Sequence, residues 1–216
     1  DPDLQRIGDE YKLCCNIESI EISIVTTECE PGVLNSFKYL KFVKCDPMWL
    51  NSFLTYNIEM VFIPDGVIQI RQDDFENLIH LKFLEIPETV EYIDEFAFEN
   101  CNQLTSVKCG SKHLPYLNHK RIKTLILDNS VQEIHRSYFE AFVNLESIVL
   151  PETIKNVGLN VFANCKKLAM INNSAIENFI NNKISIDESR TIILKEEFEN
   201  WSNLQSLEIP KSIETI

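Results

Sequence analysis

The sequence predicts an α/β solenoid with one parallel β-sheet of about ten strands and short helical or irregular segments between them. Three observations predict it. A motif recurs along the 216-residue chain, in which Ile or Leu followed by Pro opens a turn and an aromatic residue comes 12 residues after the first. Apolar residues then follow three and six positions after the aromatic, before the pattern changes to the alternation of a half-buried strand. Finally, the spacing between copies takes two main values, 23 and 18 residues, with one interval of 13.

The clearest copies are Ile63-Pro64-Asp65-Gly66-Val67 with Phe75, Ile86-Pro87-Glu88-Thr89-Val90 with Phe98, and Leu150-Pro151-Glu152-Thr153-Ile154 with Phe162. Leu127 to Val131 with Phe139, and Ile186 to Ser189 with Phe198, keep the interval without the Pro; Ile209-Pro210-Lys211-Ser212-Ile213 opens a further copy. The trios Phe75, Leu78, Leu81 and Phe98, Cys101, Leu104 place three apolar side chains on one face of a short helical segment. Phe139, Phe142, Leu145, then Phe162, Cys165, Leu168, then Phe198, Trp201, Leu204 repeat the pattern. Leu81, Leu84 and Ile86 end in strand alternation, so each unit reads as strand, turn and short helix. One such unit cannot enclose its own apolar face and must stack on neighbours. The hydroxyls of Thr89, Ser130 and Thr153 are expected to satisfy turn backbone groups in each coil.

Strand ends are expected at Ile22, Cys45, Ile63, Ile86, Cys109, Leu127, Leu150, Asn173, Ile186 and Ile209. A super-period of 64 relates Cys45 to Cys109 and Ile86 to Leu150. The two short coils, 46–57 and 110–121, align Leu50 with Leu114 and Phe53 with Leu117. Residues 1–16 are expected to form a degenerate N-terminal coil or cap, and 17–216 the solenoid, truncated at its C-terminus within a repeat. Such an end would leave Ile209, Ile213 and Ile216 uncovered, and homo-association through exposed solenoid ends is the corresponding expectation.

The stretch Leu81 to Leu104, with Pro87, Val90, Ile93, Ala97, Phe98 and Cys101, resembles the BspA-like (Treponema-type) leucine-rich repeat. The resemblance runs over about residues 17–216. It implies a right-handed leucine-rich-repeat solenoid with the parallel sheet on its inner surface and the short helical or irregular segments on its outer one, and it implies adhesion or ligand binding, often at cell surfaces. Asp128, Asp187 and Ser23 depart from the pattern, standing where it has Pro.

Composition narrows the function classes. The chain is acidic, with 33 Asp plus Glu against 20 Lys plus Arg and a formal net charge of −13, and it has no basic patch to offset repulsion from nucleic acid. No apolar run approaches the roughly 20 residues of a membrane span. Phosphate-cradle, nucleophile-elbow and HExxH motifs are all absent, and only five glycines are present, so no catalytic residue, cofactor or metal is expected. Seven cysteines cannot all pair, and several stand where the repeat has apolar residues. They read as small buried hydrophobes and favour a reducing intracellular compartment, while the family resemblance allows the cell surface. Vicinal Cys14 and Cys15 are read as packing at an end coil in preference to a redox role. His113 and His119 share a short coil and are read as a solvated loop in preference to a metal site. Carboxylates including Asp73, Asp74, Glu76, Glu91, Asp94, Glu95 and Glu99, with Glu196, Glu197 and Glu199, are read as a solvated outer face in preference to a dock for a basic partner.

The inner sheet is more informative. In each Leu-x-x-Leu-x-Leu strand the third and fifth positions point away from the core. The third positions run from Ser19 through Phe42, Met60, Phe83 and Ser106, and the fifth from Glu21 through Lys44, Phe62, Glu85 and Lys108. Phe42, Met60, Phe62 and Phe83 therefore form one exposed apolar patch, with charged residues including Lys44, Glu85 and Lys108 at its rim. Ile126 and Val149 are candidates to extend it. A partner is the usual explanation of such a patch. The alternatives are that aromatics simply suit strand surfaces, or that residues 1–16 or a missing segment fold over them.

The leading expectation is a non-enzymatic scaffold that binds a protein or peptide on the inner (concave) sheet. One alternative is a secreted or cell-surface adhesin, with two glycosylation sequons, Asn172-Asn173-Ser174 and Asn200-Trp201-Ser202, as its support. The other is the recognition arm of a larger enzyme or regulator.

Overall fold

The computed structural model describes residues 18–26, 37, 39–53, 57–158 and 161–172, together with the strand backbone at 183–185 and 206–208. Expectations for the 1–16 cap, for Cys14 and Cys15, for Glu196, Glu197 and Glu199, for the 200–202 sequon and for the apolar end at Ile209, Ile213 and Ile216 lie outside these residues. The chain divides into two units, Asp1–Ile122 and Lys123–Ile216.

In the first unit the strands are β1 (Ser19–Glu21), β2 (Phe42–Lys44), β3 (Met60–Phe62), β4 (Gln69–Ile70), β5 (Phe83–Glu85), β6 (Tyr92–Ile93) and β7 (Ser106–Cys109). Five of them pair in parallel in the order β1, β2, β3, β5, β7, and β4 pairs with β6. In the second unit β8 (Thr124–Leu127), β10 (Ser147–Val149) and β12 (Met170–Asn172) pair in parallel. There β9 (Glu133–Ile134) also pairs with β11 (Asn156–Val157), and β13 (Lys183–Ser185) with β14 (Ser206–Glu208). The ten principal strands stop within a residue of the ten expected strand ends.

Alternation drives this arrangement. The middle residues Val43, Val61, Leu84 and Val107 are aligned and fully buried, as are Leu125 and Ile148 in the second unit. Strand entry is repetitive too. One carbonyl, two residues ahead of the buried position, accepts two successive N–H groups of the next strand. Lys41 and Phe42 donate to the Glu18 carbonyl, Glu59 and Met60 to Lys41, and Lys82 and Phe83 to Glu59.

The outer segments are less helical than their apolar spacing predicts. Short 3-10 turns span Pro47–Ser52, Gln72–Phe75, Ser111–Tyr116 and Arg136–Tyr138, whereas 95–100 and 161–164 are plain turns. The spacing of three arises from linked turns. The Leu78 N–H donates to the Phe75 carbonyl and the Leu81 N–H to the Leu78 carbonyl, and the same two bonds recur after Phe98, Phe139 and Phe162. A three-residue period eclipses i, i+3 and i+6, which buries the trio without an α-helix. The apolar trios then stack coil on coil, with the Phe75 and Phe98 rings 5.1 Å apart, edge to face. The two-residue strands β4, β6, β9 and β11 were not expected; the first three bury only their second residue, as with Ile70 and Ile93, and Val157 of β11 is half-buried.

Three expectations about individual residues are corrected. His113 is not in a solvated loop. The coil 110–121 turns through a 3-10 segment that buries His113, with its Nε2 2.9 Å from the Val90 carbonyl, at the place where Trp49 is buried 64 residues earlier. His119 is half-buried, its Nε2 2.8 Å from the Leu114 carbonyl. Asp74 is buried as well, because it caps the 3-10 turn by accepting the Arg71 N–H at 2.7 Å, and burial raises its pKa above the usual carboxylate value. The Thr89 and Thr153 hydroxyls satisfy backbone groups as expected, in each case those of the preceding coil. Thr89 accepts the Gly66 N–H at 3.0 Å, and Thr153 donates to the Val131 carbonyl at 2.9 Å. Gly66 itself has φ of +97°, and a Cβ there would meet Ile24 Cδ1 at 2.9 Å.

Cys45, Cys101, Cys109 and Cys165 are buried, as their apolar positions predicted. Burial pushes the thiol pKa of Cys101 up to about 12 and of Cys165 up to about 11, and raises that of Cys45. The Cys101 Sγ lies 3.9 Å from the Phe75 carbonyl and the Cys165 Sγ 3.6 Å from the Phe139 carbonyl, one super-period apart.

Candidate functional site

Strands β2, β3, β5 and β7 carry all seven candidate residues. Parallel pairing without slippage sets Phe42, Met60 and Phe83 side by side in one row, continued at its ends by Ser19 and Ser106. The second row reads Glu21, Lys44, Phe62, Glu85 and Lys108. A one-residue slip would exchange these rows for the buried Val and Leu residues, so burial of one face fixes the other. Phe42 is 37% exposed, while Met60, Phe62 and Phe83 are half-buried. The Phe62 and Phe83 rings lie 5.5 Å apart at 44°, which joins the two rows.

The charges around this patch are paired along the stacking direction. Lys44 Nζ lies 2.6 Å from Glu21 and Lys108 Nζ 2.8 Å from Glu85, both within the second row. Ahead of the strands, Lys41 lies 3.6 Å from Glu18 and Lys82 3.0 Å from Glu59. The hydrogen bond to Glu21, and then the charge of Glu21, raise the pKa of Lys44, which stays cationic. Solvent screens pairs of this kind, so they contribute little to stability. Their effect is to present neighbouring charges of alternating sign at fixed positions. Ile126 and Val149 are half-buried and aligned on β8 and β10, in the second unit.

A separate cleft of about 260 Å³ is lined by residues including Ile24, Asp46, Met48, Ile68, Arg71 and Asp74. Sequence reading missed it, because it forms where three successive coils meet, at Ile24, at Asp46 and Met48, and at Ile68 and Arg71. Among the described residues no three His, Cys, Asp or Glu side chains are placed to hold a metal, and no helix is long and apolar enough to cross a membrane.

The sequence pattern of the BspA type leucine rich repeat region matches this chain in six copies, over residues 46–169 and 167–216. The chain belongs to the BspA-type leucine-rich-repeat family. In its Leu81 to Leu104 copy, every apolar residue of the pattern is buried: Leu81, Leu84, Ile86, Val90, Ile93, Ala97, Phe98, Cys101 and Leu104. No curated protein matches the chain. Among solved structures, it is similar to a chain of the glycosylated Toll–Spatzle complex of Drosophila, at 14% identity and a TM-score of 0.50, over 89% of this chain and 33% of that one. A leucine-rich-repeat protein of T. pallidum is 23% identical over 52% of this chain and 57% of its own, with a TM-score of 0.32. An internalin C2 of Listeria monocytogenes is 11% identical over 82% and 74%, with a TM-score of 0.42. This BspA-type chain thus spans about a third of the Toll-complex chain, and the likeness is one of fold.

Proposed function

We propose that this chain is a non-enzymatic scaffold that binds a protein or peptide on the exposed face of its first-unit sheet, through Phe42, Met60, Phe62 and Phe83. One observation carries the reading: four large apolar side chains share a face whose charges are already paired with one another. Pairing leaves the apolar surface as the part of that face still to be desolvated, and a partner is what removes it from water. The ion pairs surround it as a polar rim, the usual anatomy of a binding surface. Family membership accounts for the scaffold only, and binding would be a property of this face. The role needs no catalytic group and no cofactor.

The test compares wild-type protein with the double variant Phe42→Ser/Phe83→Ser in capture from a lysate or a displayed peptide library, with the folded state checked by circular dichroism. A control carries Ile79→Ser and Val143→Ser, two exposed apolar residues off this face. Capture should fall at least tenfold in the first variant and persist in the control. Equal capture by all three proteins would show that the face is not the binding surface.

A further inference from the structure

We propose that a second copy of this chain is a partner of the same face, the two sheets packing across a two-fold axis that runs parallel to the strands past β3. The inference rests on reading this face as a binding surface and names its occupant. It comes from the order of residues in the two exposed rows. β3 is the middle of five paired strands, and a two-fold axis along it sets β1 opposite the partner's β7 and β2 opposite the partner's β5, positions along the strand being kept.

The first row reads Ser19, Phe42, Met60, Phe83, Ser106, which is the same in chemical type from either end. Phe42 would face Phe83 of the other copy, Met60 would face itself, and the small serines would flank them. The second row reads Glu21, Lys44, Phe62, Glu85, Lys108, and reversing it exchanges every acid for a base. Glu21 would face Lys108, Lys44 would face Glu85, and Phe62 would face itself. Each intrachain pair, Lys44 with Glu21 and Lys108 with Glu85, would then lie on the oppositely ordered pair of the other copy. Two four-charge clusters of alternating sign result, one on each side of a central phenylalanine pair. A face that is self-complementary in this way is what an isologous interface requires. Lys41 and Lys82 would face each other, but they lie ahead of the strands, each neutralised by Glu18 or Glu59 of its own copy.

The face is small. Five strands of three residues cover on the order of 20 Å by 10 Å. Pairing therefore belongs to the weak, transient class.

Charge reversal tests the register without removing any intrachain pair. Glu21→Lys with Lys44→Glu keeps that pair but sets like charges opposite each other in a dimer of this variant. Glu85→Lys with Lys108→Glu does the same. A mixture of the two double variants, however, restores every opposite-sign apposition. Sedimentation velocity on the whole chain up to roughly 1 mM should show a reversible wild-type dimer, association weakened about tenfold or more in either double variant alone, and recovery in the equimolar mixture. A wild type that stays monomeric, or a mixture no more associated than its components, would overturn the proposal. A monomeric wild type that still captures another protein through Phe42 and Phe83 would overturn self-association alone and leave the scaffold reading in place.

Discussion

Two phenylalanines two residues apart in one repeat should differ severalfold in what they contribute to stability. Phe98 is 5% exposed and packs edge to face on Phe75 of the preceding coil, whereas Phe96 is 49% exposed in the outer turn. Truncating a buried phenylalanine to alanine costs about 3–5 kcal/mol, the sum of lost transfer energy and residual cavity. An exposed one costs within about 0.5 kcal/mol. For a chain of this length each kcal/mol moves the melting temperature by about 2–4 °C, so Phe98→Ala should lower it by on the order of 10 °C and Phe96→Ala by no more than about 2 °C. Neighbouring coils hold each other up in a stacked repeat, so the Phe98 cavity also weakens the seat of Phe75. Urea titration and thermal melts followed by far-ultraviolet circular dichroism measure both variants. Equal losses, or a Phe98→Ala loss below about 1 kcal/mol, would refute the assignment of the aromatic to the interior.

Two further outcomes follow from titratable groups. The Cys101 and Cys165 thiols, pushed up to about 12 and about 11 by burial, should resist alkylation at pH 8 in the folded protein and react rapidly in denaturant. Mass-spectrometric mapping of the label gives the answer, and fast native modification of either would contradict their burial. For Asp74, burial raises the folded-state pKa above the ordinary 3.8, so the folded state holds the proton more tightly than the unfolded chain. The resulting stabilisation is complete below 3.8 and is lost as pH rises through the raised value. Asp74→Asn keeps an oxygen for the Arg71 N–H without this titration, so wild type should lose stability relative to the variant between pH 3 and pH 7; a constant difference would contradict the prediction.

Strand positions were legible in the sequence because a parallel stack buries the same position of strand after strand: Val43, Val61, Leu84 and Val107 repeat that burial, and Ile20 of β1 is half-buried. The rows beside them follow from alternation alone, which is why the arrangement of Phe42, Met60, Phe62 and Phe83 could be read before any coordinates. Local spacing was less informative about backbone type. Phe75, Leu78 and Leu81 fit a helical face, but three-residue turns satisfy the same spacing with fewer residues. Position in a coil outweighed residue type for His113 and Asp74: a histidine and a carboxylate are usually solvated, yet here one occupies the place of Trp49 and the other caps a turn. The cleft beside Ile24, Met48 and Ile68 could not be read, since it depends on how successive turns meet.

The carbonyl clamp at strand entry separates two properties that a repeat could have been forced to vary together. Because the Lys41 carbonyl takes both the Glu59 and Met60 N–H groups after an 18-residue interval, and the Glu59 carbonyl takes those of Lys82 and Phe83 after 23, coil length does not alter how the chain re-enters the sheet. Five residues are gained or dropped on the outside while the exposed rows keep their order. Such a chain can therefore diversify its outer loops by insertion and deletion, and its inner face by point substitution, as two independent routes of change.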